Sequence, residues 1–146
     1  MISILDLFTI GIGPSSSHTV GPMRAAAAFS RQLADNDNAE QVHALQCDLY
    51  GSLAATGKGH STDVAIMLGL MGNEPETVNM EDAGLLLERV RTENSLRWNA
   101  TQSVDFNATE NLTFHRLTPL PLHPNGMHFS ATNTKGEVIS EEIYYS

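Results

Sequence analysis

The sequence predicts an α+β fold, a mixed sheet with about three helices packed on it. Stretches that favour helix lie in the first two thirds of the chain, and strand-like segments fill the last third. One alternating segment, at 42–50, gives the sheet an early strand to join the late ones.

Residues 2–12 read as a short strand or buried segment, with Ile2, Ile4, Leu7, Ile10 and Ile12 apolar. A Gly/Ser/Pro loop over 11–22 leads into a helix over 22–34. Pro22 suits its first turn, where a missing N–H costs nothing, and the polar run Asp35-Asn36-Asp37-Asn38 ends it. Along 42–50, Leu45, Cys47 and Leu49 share one face while Gln46, Asp48 and Tyr50 share the other, the pattern of a half-buried strand. A second loop, 57–63, opens an apolar helix over 62–71 that Ser61 or Thr62 can cap and Gly72 can end. Asn79, with Glu81 and Asp82, opens a third helix extending to about residue 96. Strands follow at 102–107, 112–117, 127–132 and 137–145, separated by turn residues and the proline-rich 119–124.

The bulk numbers exclude several classes of function. The 146 residues fit one domain, 1–146. A net charge of −9 with eight Lys and Arg residues supplies no basic face, so nucleic acid is not an expected partner. No apolar run reaches membrane-spanning length. Asp6, and the absence of Lys or Arg before Arg24, argue against a signal peptide. The single cysteine, Cys47, rules out an internal disulfide and suits the cytoplasm. It also means that no iron–sulfur cluster can be held by this chain alone. The terminal segment ending Tyr144-Tyr145-Ser146 is abrupt, as if cut from a longer protein.

The loop Gly13-Pro14-Ser15-Ser16-Ser17-His18-Thr19 carries the densest chemistry. Ser15, Ser16, Ser17 and Thr19 each offer a hydroxyl that donates and accepts. Gly13 allows close approach, and the following helix turns its N–H groups and positive end toward the loop. That combination suits a carboxylate or phosphate, and His18 can move a proton near neutral pH. A serine-rich cap on a surface turn, with a solvated histidine, fits the same residues. The loop 57–63 repeats the pattern with Gly57, Lys58, Gly59, His60 and hydroxyls ahead of a helix. It is not a nucleotide P-loop, because Gly51 and Gly57 enclose five residues and Gly59 stands where a hydroxyl residue is required. Nor does this chain have room for a pyridoxal-phosphate fold around Lys58.

His43, His115, His123 and His128 show no metal-ligand spacing and suit structural or surface roles, so no metal site is expected in this chain. Cys47 reads as a small core residue and Trp98 as a packing residue. The apolar runs around 64–71 and 85–90 suit either the core or an interface.

The block from Gly11 through Gly13-Pro14-Ser15-Ser16-Ser17-His18-Thr19 to Met23 closely resembles the signature of bacterial iron–sulfur L-serine dehydratases. Tyr50-Gly51-Ser52-Leu53, Thr56-Gly57-Lys58-Gly59-His60, Gly69-Leu70-Met71-Gly72-Asn73-Glu74-Pro75, Leu120-Pro121-Leu122-His123-Pro124-Asn125-Gly126-Met127 and Tyr144-Tyr145-Ser146 resemble further family blocks in the same order. The resemblance implies conversion of L-serine to pyruvate and ammonia with a 4Fe–4S cluster. It implies that this chain is the beta domain, preceding a cluster-binding alpha domain of the same polypeptide, and that alone it is inactive. The fold is expected to resemble the allosteric substrate-binding domain of phosphoglycerate dehydrogenases. On this reading Ser15, Ser16, Ser17, Thr19 and Lys58 bind substrate, and His18 or His60 is the acid/base. A serine-sensing module and a dimerisation module, with a homodimer as partner, are the competing expectations.

Overall fold

The computed structural model describes residues 19–51, 53, 54, 61–115 and 126–145. The short strand or buried segment expected at 2–12 and the proline-rich 119–124 lie outside them, as do 116 and 117 of an expected strand.

The first helix, α1, spans Val20–Ala34. It begins two residues ahead of Pro22, which remains within the first turn, where its missing N–H is no loss. The Thr19 carbonyl accepts from Met23 N at 3.0 Å. The predicted polar stop holds: Asp35 N donates to the Gln32 carbonyl at 3.2 Å, and Asn36 Oδ1 accepts from Asn38 N at 2.8 Å. After a short 3-10 turn at Ala39–Gln41, strand β1 runs over Ala44–Tyr50 with the expected alternation of buried and half-buried residues.

Helix α2, Thr62–Leu70, is buried along nearly its whole length, so the run from 64 to 70 is core. Its end is a Schellman turn: Gly72, at φ +94°, donates to the Gly69 carbonyl and Asn73 N to the Leu68 carbonyl. Helix α3, Met80–Glu93, is capped as predicted, with Asn79 Oδ1 accepting from Asp82 N at 3.0 Å. It stops three residues short of 96. Asn94 takes a left-handed conformation (φ 49°, ψ 45°), and Ser95–Arg97 becomes strand β2, paired antiparallel with β3, Ser103–Asp105. Leu96 is therefore buried in a hairpin rather than in a helix. In the other candidate interface run, Leu87 and Val90 are core, whereas Leu85 is 67% exposed.

The main sheet contains β4 (Leu112–His115), β1, β5 (Gly126–Thr132) and β6 (Val138–Tyr145), in that order. β1 is parallel to β4 and antiparallel to β5, and β5 is antiparallel to β6, so the sheet is mixed as expected. The inner face presents Leu45, Cys47, Leu49, Met127, Phe129 and Ala131 to the helices. Phe29 of α1 stacks on Phe129 with centroids 5.4 Å apart. α1 and α2 pack so closely that a Cβ on Gly69 would lie 2.4 Å from the Met23 carbonyl oxygen.

Candidate functional site

Among the predicted site residues, the described structure includes only Thr19. Ser15, Ser16, Ser17, His18, Lys58 and His60 lie outside it. Thr19 is the N-cap residue of α1 and is buried, although its side chain makes no capping bond.

The N-terminus of α2 departs from expectation. Ser61 occupies the N-cap position, but its hydroxyl does not cap the helix. An N-cap side chain ordinarily bonds back to the first turn from a β-region backbone. Ser61 is instead left-handed (φ 62°, ψ 30°), which takes its hydroxyl out of that geometry. The residue is 2% exposed, and Oγ has no hydrogen-bond partner among the described residues. Its backbone carbonyl still accepts the first helical bond, from Ala65 N at 3.0 Å. Thr62 follows, fully buried.

A second polar group lies on the sheet face opposite the core. Asp48 Oδ1 bonds His115 Nε2 at 2.8 Å, Asp48 Oδ2 lies 3.7 Å from His128 Nδ1, and His128 Nε2 lies 3.2 Å from Glu141 Oε2. One side chain from each of the sheet's four described strands thus forms a chain across it. Tyr50 stacks on His115, with centroids 4.7 Å apart. Burial, then the charge of Asp48, raises the Tyr50 phenol pKa above its ordinary value. The alternation in 42–50 places Asp48 on this face, but no local pattern places His115 and His128 beside it. Their meeting depends on pairings such as Asp48 with His128.

Cys47 behaves as predicted: it is fully buried, and burial, then Asp48, pushes its thiol pKa well up. An iron–sulfur cluster needs several thiolates. This chain has one cysteine, in the core, and among the described residues no three His, Cys, Asp or Glu side chains are grouped to hold a metal ion. The residues present do not fit the cluster. Trp98 packs in the core as expected.

Among the described residues no helix is long and apolar enough to cross a membrane. The chain is 46% identical over 145 residues to "L-serine dehydratase" of Mycobacterium bovis, covering 99% of this chain and 31% of that protein. It is 45% identical to "L-serine dehydratase 1" of Escherichia coli K12, covering 100% of this chain and 32% of that protein. The Streptomyces coelicolor "L-serine dehydratase" is 43% identical, with 99% and 32% covered. The chain thus spans about a third of the length of the curated relatives it matches. The family described as "Serine dehydratase beta chain" matches residues 3–146, and the chain belongs to that family.

Proposed function

We propose that this chain is the beta domain of an L-serine dehydratase, which removes water from L-serine and releases pyruvate and ammonia. The observation that carries this reading is near-complete coverage of the chain, at 43–46% identity, by proteins named for that reaction. The 4Fe–4S cluster belongs, on this reading, to a separate alpha domain of the same polypeptide, because the thiolates it needs are not in this chain.

The contribution of these residues is to bind and to move a proton. Elimination from serine requires the α-carboxylate to be held and the α-proton to be accepted. Ser15, Ser16, Ser17, Thr19 and Lys58 supply donors for the carboxylate. His18 or His60 supplies the acceptor, since imidazole takes and returns a proton near neutral pH. The burial of Thr19 at the start of α1, and of Ser61 and Thr62 at the start of α2, supports the reading. Each predicted loop ends in hydroxyls withdrawn from solvent.

The test is turnover of L-serine by the full-length protein carrying His18→Ala or His60→Ala. Losing the proton acceptor should lower kcat at least about a hundredfold. Near wild-type rates in both variants would sink the assignment.

A further inference from the structure

Helices α1 and α2 end, at Ala34 and Leu70, beside a cavity of about 420 Å3 that α3 and the β2–β3 hairpin complete. Its volume is that of a small-molecule site. Ala27, Met71, Leu86 and Trp98 give it a mostly apolar lining. Both walls are held by contacts of their own. Gly69 fits α2 closely against α1, and the Ser30 hydroxyl ties the two helices through the Leu70 carbonyl. In the hairpin turn Asn99 Oδ1 accepts from Thr101 N at 2.9 Å and from Gln102 N at 2.7 Å. Gln102 Nε2 then donates to the Ala39 carbonyl at 2.9 Å, which anchors the turn to the segment after α1. The hollow is therefore formed before any ligand arrives.

Charge selects the ligand. Asp and Glu outnumber Lys and Arg by 17 to 8 in this chain, yet no described residue lining the cavity is acidic, and Arg31 and Arg97 are basic. Arg31 is accounted for by the negative end of α1 and by Glu74, 3.1 Å away. Arg97 is exposed, and its guanidinium has no hydrogen bond or ion pair among the described residues. Its fork of donors matches a carboxylate. The last carbonyls of α1 and α2 oppose negative charge deeper in the cavity, so the ligand carries one anionic group and keeps it at the rim. The apolar interior takes a hydrocarbon body. L-Serine, small and polar throughout, has none.

We propose that this cavity binds a small monocarboxylate with an apolar body, its carboxylate on Arg97 and its hydrocarbon part against Trp98, Met71 and Leu86. No residue lining it has a part in the proposed turnover of L-serine, and the inference does not depend on that reading.

The experiment titrates the full-length protein calorimetrically with phenylacetate, its neutral amide and acetate. Phenylacetate should bind with a Kd of about 1 mM or tighter. The amide lacks the charge and acetate lacks the body, so each should bind at least about tenfold more weakly. Arg97→Gln removes the partner of the carboxylate, and Ala34→Phe fills the mouth of the cavity. Both positions are exposed, so Tm should hold while the Kd for phenylacetate rises at least about tenfold. Should one variant unfold, the other decides. Absence of binding to the wild-type protein overturns the proposal, as does equal binding of the amide or an unchanged Kd in either folded variant. Displacement of phenylacetate by L-serine would overturn it too, because the cavity would then be a serine site.

Discussion

Cys47 and Asp48 are chain neighbours that leave β1 on opposite faces, one into the core and the other onto the polar chain of His115, His128 and Glu141. The difference shows in the chemistry of the thiol. Burial and the Asp48 charge hold Cys47 protonated in the folded protein, whereas the unfolded chain releases that proton above about pH 8.5. Its contribution to stability is therefore complete below that pH and is lost as the pH rises beyond it. Cys47 should resist thiol reagents at pH 8 until denaturant unfolds the chain, and Cys47→Ala should flatten the alkaline fall in stability; labelling and denaturant titrations at pH 8 and 10 check both. The core role of Cys47 was legible because alternation over 42–50 is local. The partnership of Asp48 with two histidines was not, because strand register is fixed by pairings between distant segments. The left-handed turn at Ser61 was equally hidden, since serine signals an ordinary cap.

At the scale of elements, the α1–α2 contact is the most demanding. Gly69 leaves no space for a methyl group: its Cβ would meet the Met23 carbonyl at 2.4 Å and Ala26 Cβ at 2.6 Å. Backbone and a short side chain cannot swing aside, so Gly69→Ala must separate the helices. The expected loss is about 3 kcal/mol, at the upper end of the cost of overpacking, read as a lower denaturant midpoint. Ser30 joins the same seam, its hydroxyl donating to the Leu70 carbonyl at 2.7 Å and satisfying an otherwise unpaired helix end. Helix ends were legible where one residue type has one role, as with Asn79 and Gly72. The end of α3 was not, because Asn94 breaks the helix only where its left-handed conformation lets Ser95–Arg97 pair as a strand. A three-residue strand is too short to show alternation of its own.

For the whole molecule, the order of the described helices and of every described strand but β2 was legible, whereas the arrangement β4-β1-β5-β6 was not, since no local signal selects a strand's neighbours. The candidate site was read in the sequence as two loops, of which the described residues reach only the last hydroxyls. The chain spans about a third of its relatives and has one thiol, in its core. The 146-residue stretch produced alone should therefore form no pyruvate from L-serine, while the full-length protein should. Pyruvate from the stretch alone would sink the assignment of the remaining chemistry to residues outside it. The parallel pairing of β1 with β4 also sets a schedule for synthesis. Roughly 65 residues separate Cys47 from its partner Leu112, and the antiparallel partners of β1 come later still. At roughly 5–20 residues per second, β1 leaves the ribosome several seconds before any of the other described strands of its sheet exists. During that wait, among the described elements only α1 and α2 are available to shelter the apolar side of the strand.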